Sequence, residues 1–210
     1  MTTITNVKTM NEVAEYYTSK LSEYGETPRG VDWNGEEGQT LRFEQLCKII
    51  EMTNHFSIND LGCGYGALYD FLDEKYKEFS YSGIDVSEGM VQAAEQRYLN
   101  QPKARFVVSN EPDEIADYCV ASGIFNVRLG RSNDEWRYYL EATLDMLDRT
   151  SRVGFAFNCL TSYSDSDKKR DYLYYADPCV LFDSCKRRYS RNVALLHDYG
   201  LYEFTILVRK

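Results

Sequence analysis

The run Ile58-Asn59-Asp60-Leu61-Gly62-Cys63-Gly64-Tyr65-Gly66-Ala67 places three alternate glycines behind an acid, after an apolar stretch and before an amphipathic one. Glycine lets the backbone turn tightly and approach a ligand, and a helix that starts there offers it unpaired N–H groups. About 20 residues further on, a second apolar run ends in Gly83-Ile84-Asp85-Val86, with one carboxylate placed to accept hydrogen bonds from both hydroxyls of a ribose. The two features together point to a nucleoside-bearing ligand. Gly62-x-Gly64-x-x-Ala67 also satisfies the dinucleotide form of the fingerprint, so spacing alone leaves the cofactor class open.

These residues need a scaffold, and from about residue 41 short apolar runs alternate with amphipathic stretches, as in successive βα units. Strands are expected over 56–61, 81–86, 104–109, 118–123 and 153–160, each rich in β-branched or aromatic residues. Helices are expected over 39–53, 67–77, 87–100, 133–149 and 177–188, with Ser87 as an N-cap and Asp177-Pro178 placing proline in a first turn. Asn192 to Tyr199 and Tyr202 to Val208 are two β-rich runs separated by little more than Gly200-Leu201, which predicts a hairpin. Residues 10–24 predict a helix carrying Tyr16, Tyr17 and Tyr24, followed by a Gly/Pro-bearing connection with Trp33. The expected organisation is an N-terminal helical cap, 1–38, and a ligand-binding α/β domain, 39–210. The sheet is doubly wound, mostly parallel and ends in the antiparallel hairpin.

With the loop and Asp85 in place, the sequence resembles the class I S-adenosylmethionine-dependent methyltransferases over roughly residues 56–210. Asp60-Leu61-Gly62-Cys63-Gly64-Tyr65-Gly66 is similar to their D/E-x-G-x-G-x-G first motif, and Asp85 to their acidic second motif. The resemblance implies a Rossmann-like seven-stranded sheet and S-adenosyl-L-methionine as cofactor. It places Asp60, Gly62, Cys63, Gly64 and Gly66 beside the cofactor's amino-acid part and Asp85 on the ribose diol. Val86 and Met90 would flank the adenine, and Ser122 and Gly123 would lie near the methionine moiety. Asn110 stands where the family often has an acid for the adenine amino group. Thr27 to Trp33 and Leu196 to Phe204 look similar to a bacterial subset associated with surface-polysaccharide biosynthesis, which implies a carbohydrate or polysaccharide precursor as acceptor.

A sulfonium already carries an activated methyl group, so the protein must position an acceptor and, where needed, remove its proton. His197 lies near the end of a strand expected to finish on the ligand side and is the first candidate base, with Asp198, Tyr16 and Tyr17 behind it. His55 precedes the first strand, at the opposite end, and reads as structural. Tyr163, Tyr172, Tyr174 and Tyr175 are expected to border the cleft with Tyr16 and Tyr17, and the polar stretch 161–176 reads as a lid over the substrate. Ser122-Gly123-Ile124-Phe125-Asn126 lacks the Asn/Asp-Pro-Pro-aromatic sequence of many amino-methylating enzymes, which favours oxygen as the acceptor. The rival readings are a dinucleotide-dependent oxidoreductase and a non-catalytic cofactor-binding protein.

The formal net charge of −9 argues against nucleic acid as a partner, and Lys168-Lys169-Arg170 and Lys186-Arg187-Arg188 read as solvated faces. A small-molecule acceptor is the expected partner. No stretch approaches the 18 or so apolar residues of a membrane span, so no membrane is expected. The six cysteines contain no C-x-x-C pair and several sit in apolar segments, the pattern of buried free thiols in a reducing, cytoplasmic setting. No metal-ligand set is evident.

Overall fold

The computed structural model describes residues 4–33, 35–52 and 54–210. Seven strands form one sheet: β1 (Phe56–Leu61), β2 (Phe79–Asp85), β3 (Ala104–Val108), β4 (Ala116–Ala121), β5 (Ser151–Leu160), β6 (Asn192–Leu196) and β7 (Glu203–Arg209). Their order is β3-β2-β1-β4-β5-β7-β6, with β7 antiparallel to both of its neighbours. The doubly wound sheet and terminal hairpin therefore form as expected. The chain first runs outward from β1 to β2 and β3, then restarts on β1's other side with β4, so a crevice opens beyond the carboxyl ends of β1 and β4.

Among the described residues six α-helices accompany the sheet: α1 (Ile4–Tyr24), α2 (Glu36–Leu46), α3 (Ala67–Lys75), α4 (Glu88–Arg97), α5 (Asn133–Arg149) and α6 (Pro178–Arg188). Their starts follow local chemistry. The Ser87 hydroxyl accepts the Met90 N–H, Asp177 accepts from Cys179 and Val180, and Ser132 with Glu135 forms a reciprocal capping box. Helix limits differ from expectation at several places: α2 starts at Glu36 and not at 39, α3 and α4 end at Lys75 and Arg97 and not at 77 and 100, and two differences are larger. α1 begins at Ile4, and the helix expected over 39–53 ends at Leu46, tightening into a 3-10 turn before extended Ile50 leads towards β1. The boundary expected at residue 38 falls inside α2, and Thr53 lies outside the described residues.

The core has two parts, one on each face of the sheet. Leu46, Ile49, Phe56, Ile58, Leu68, Leu72 and Tyr81 pack on one side, and Ile84, Phe125, Leu140, Leu147, Phe157 and Phe204 on the other. Five of the cysteines are buried free thiols, whereas Cys179, in the first turn of α6, is exposed. No helix among the described residues is long and apolar enough to cross a membrane.

Candidate functional site

A cleft of about 760 Å³ opens at the carboxyl ends of the parallel strands, within the size range of ligand pockets. One half is built from strand ends and the glycine loop. Gly62, Gly64 and Gly66 all have positive φ, so the loop runs through backbone that only glycine adopts readily. Gly62 and Gly64 line the cleft. Gly66 does not: it begins α3, and a Cβ there would lie 2.7 Å from the Tyr98 ring, so packing explains this third glycine.

Asp85, buried at the end of β2, ties this half together. Its Oδ2 accepts the Gly64 N–H at 2.9 Å and its Oδ1 the Ser87 N–H at 2.8 Å. A carboxylate has about four lone-pair sites, so capacity remains beside these N–H bonds for a ribose hydroxyl. Burial raises its pKa, and the backbone N–H bonds counteract that. Asp60, buried beneath the loop, accepts the Tyr81 hydroxyl at 2.7 Å. Burial pushes its carboxyl up to about 7, the Tyr81 bond opposes this, and the nearby Asp85 charge adds to it. Cys63, Val86, Met90, Asn110, Ser122 and Gly123 also line the cleft, so of the expected cofactor residues only Gly66 stands outside it. The Gly123 N–H donates to the buried Asn158 Oδ1 at 2.7 Å, which fixes the turn after β4. Asn158 escaped the sequence reading, although a lone amide inside Phe155-Ala156-Phe157-Asn158-Cys159 was a visible signal.

The other half is roofed by α1, the 31–33 strap and the 161–176 lid. The strap lies close: a Cβ on Gly64 would stand 2.8 Å from Val31, and one on Gly123 2.5 Å from Trp33. Arg42 stacks on Trp33 with 3.8 Å from guanidinium to ring centre. It also binds Glu203 through two bonds, Nε to Oε2 at 2.9 Å and Nη2 to Oε1 at 2.8 Å, and both side chains are nearly excluded from solvent. No local pattern joins residues 42 and 203. The signal that was available is a single acid opening an apolar strand.

The expected catalytic residues separate. Tyr17 is partly buried in the cleft wall, and burial holds its hydroxyl far above its ordinary pKa. Tyr16 donates to Asp32 at 2.8 Å, and Asp32, a cleft residue with positive φ, also pairs with Lys20 at 3.1 Å. His197 and Asp198 are exposed and outside the lining; His197 packs between Tyr163 and Phe204. β6 stops at Leu196, and the chain turns outward there instead of carrying residue 197 into the cleft. Tyr172 and Tyr175 line the cleft, while Tyr163 and Tyr174 do not. The lid is tied at its far end by Arg128, whose Nε donates to the Leu173 carbonyl at 3.2 Å. Lys168 and Arg170 line the cleft and so form more than a solvated face, whereas Arg187 and Arg188 lie outward, paired with Asp183 and Asp145. His55 is exposed beside Glu78, away from the cleft.

A glycine loop, a ribose-type acid and a β3-β2-β1-β4-β5-β7-β6 sheet define a nucleoside-cofactor methyltransferase fold, and a family described as "Methyltransferase domain" matches residues 58–151. The chain belongs to the class I S-adenosylmethionine-dependent methyltransferase family. Among its relatives is "Putative methyltransferase Rv1506c" of Mycobacterium tuberculosis, 63% identical over 163 residues that make up 78% of this chain and 98% of that protein. Its fold is shared with magnesium protoporphyrin IX methyltransferase of Synechocystis PCC 6803, solved with bound SAM, at 14% identity and TM-score 0.68 over 96% of this chain and 97% of that one. A SAM-dependent methyltransferase from Aquifex aeolicus is similar at 17% identity and TM-score 0.61, covering 90% and 96%. Family membership sets aside the oxidoreductase reading.

Proposed function

We propose that the chain methylates a hydroxyl oxygen of a small acceptor, of the carbohydrate or polysaccharide-precursor class, held between the strand ends and the cap and lid. The observation that carries this reading is the continuity of one cleft, with Asp85 and the glycine loop at one end and Tyr17, Asp32, Tyr172 and Tyr175 at the other. Asp85 takes the ribose hydroxyls with its remaining lone pairs, and Val86 and Met90 flank the adenine. Asn110 accepts from the adenine amino group, and Asp60 with the 62–64 backbone meets the amino-acid end. Ser122 and Gly123 border the methionine chain. S-adenosyl-L-methionine supplies a methyl group on a sulfonium leaving group, so most of the protein's task is positioning and exclusion of water.

Tyr17 stays protonated and orients the acceptor as a hydrogen-bond donor. For the proton of the acceptor hydroxyl we favour Asp32 over His197 and Asp198. Asp32 is in the lining, beside Tyr17 on the cap and held in place by Lys20 and Tyr16, whereas His197 and Asp198 stand outside it; Glu203 is bound through both oxygens by Arg42, and Glu111 pairs with Arg149 at 2.5 Å. Calorimetric titration should give micromolar binding of S-adenosylhomocysteine and none of NADH. Methyl transfer to hydroxyl-bearing sugars should drop in Asp32→Asn, with S-adenosylhomocysteine affinity unchanged. Absence of S-adenosylhomocysteine binding, or a fully active Asp32→Asn, would reject the corresponding half of the reading.

A further inference from the structure

Among the described residues, four cationic side chains line the cleft: Arg42, Arg149, Lys168 and Arg170. The first two are neutralised in place by Glu203 and Glu111. Lys168 and Arg170 come from the lid and are not. Arg170 Nη1 donates to the main-chain carbonyls of Asp167 and Lys169, at 3.0 and 2.9 Å, and among the described residues the side chain meets no carboxylate. Among the described residues Lys168 pairs with Asp167 alone, at 3.3 Å with both side chains more than half exposed, a pair worth little in water.

The lid as a whole is charge-balanced, with Asp165, Asp167 and Asp171 against Lys168, Lys169 and Arg170. It is nevertheless sorted by position. Both of its charged residues in the cleft lining are cations; Asp165 bonds the Tyr202 hydroxyl, and Lys169 is anchored to the Ser162 carbonyl at 2.9 Å. The acid facing the lid from the cap, Asp32, is already held by Lys20 and Tyr16. At the lid end of a cleft that also holds Asp32, Asp60, Asp85, Glu111 and Glu203, the lid therefore presents two cations, Arg170 with no carboxylate partner among the described residues and Lys168 with only a weak exposed one. An ammonium beside a guanidinium is the donor set that holds phosphate and carboxylate groups, and a local field of this sign draws an anion in.

We propose that the methyl acceptor carries an anionic group, a phosphate or a carboxylate, which Lys168 and Arg170 grip at the lid while the methylated atom sits deeper, against the strand ends. This rests on the methyltransferase reading of the cleft. The test titrates 15N-labelled protein saturated with S-adenosylhomocysteine, with pyrophosphate in one arm and citrate in the other, following amide shifts. Saturable shifts centred on residues 161–176 are expected. Affinity should fall about tenfold or more in Lys168→Glu/Arg170→Glu and hold in the control Arg187→Glu/Arg191→Glu, which changes two exposed residues outside the cleft lining. Tighter pyrophosphate binding identifies a phosphate as the group read by the lid, and tighter citrate binding a carboxylate. No saturable shift in either arm, or equal affinity in the lid variant, overturns the proposal. S-adenosylhomocysteine binding by every variant verifies the fold, and its failure in the unmodified protein would instead overturn the underlying methyltransferase reading.

Discussion

The two halves of the cleft are built by different means. The cofactor half consists of strand ends and backbone close in sequence: Asp60 to Gly64, then Asp85 to Met90, held in register by β1 and β2 pairing in parallel from Phe56 opposite Phe79 to Leu61 opposite Ile84. The acceptor half is assembled from side chains far apart along the chain, such as Arg42 with Glu203 and Tyr16 with Asp32. A nucleoside is a fixed shape that backbone can match, whereas an acceptor site is defined by which side chains converge on it. The first half should therefore fail by loss of ligand, and the second by loss of structure or selectivity.

The largest expected effect is on stability in the acceptor half. Glu203→Ala strands a buried guanidinium and should cost about 3–5 kcal/mol in urea unfolding, much of it recovered in the Arg42→Met/Glu203→Leu double variant. A loss confined to catalysis would break the comparison. Next comes Asp85→Ala, which removes two hydrogen bonds to a charged acceptor, each worth about 1.5–3 kcal/mol. S-adenosylhomocysteine affinity should drop about a hundredfold or more by calorimetry.

Smaller still is a pH effect at Asp60. Its folded pKa, about 7, lies above the unfolded value of about 3.9. The cofactor-free protein should therefore lose stability from this group as pH rises from 4 through 7. A bound ammonium favours the carboxylate, so binding releases a proton, and S-adenosylhomocysteine affinity should fall about tenfold from pH 8 to pH 6. Asp60→Asn should flatten that profile and raise the melting temperature of the cofactor-free protein at pH 8. The smallest change is Asn110→Asp, which restores an acid for the adenine amino group and should tighten binding by about threefold, in keeping with one exposed hydrogen bond.

The cofactor half was legible because its information is local: a glycine loop between a strand and a helix, and an acid ending the next strand. Hydrophobic periodicity likewise located the strands and the terminal hairpin, although β2, β4 and β5 start two residues before their expected positions and β6 ends at Leu196 and not at 199. Gly66 was legible as a glycine and misleading as a ligand residue, because the Tyr98 ring that demands it lies 32 residues away. His197 was ranked by strand direction, which was correct, but direction does not say where a strand stops or which way the next residues turn.

The sequence by itself determined the fold class and the nucleoside-binding loop, since periodicity, glycine placement and a strand-end acid act within a few residues of one another, and the cofactor followed from its resemblance to a known family. Only the tertiary structure decided that Asp32 and not His197 stands in the cleft, that Arg42 is committed to Glu203, and that the lid turns Lys168 and Arg170 inward. Those outcomes depend on contacts between distant segments, whose geometry is fixed by packing across the whole sheet.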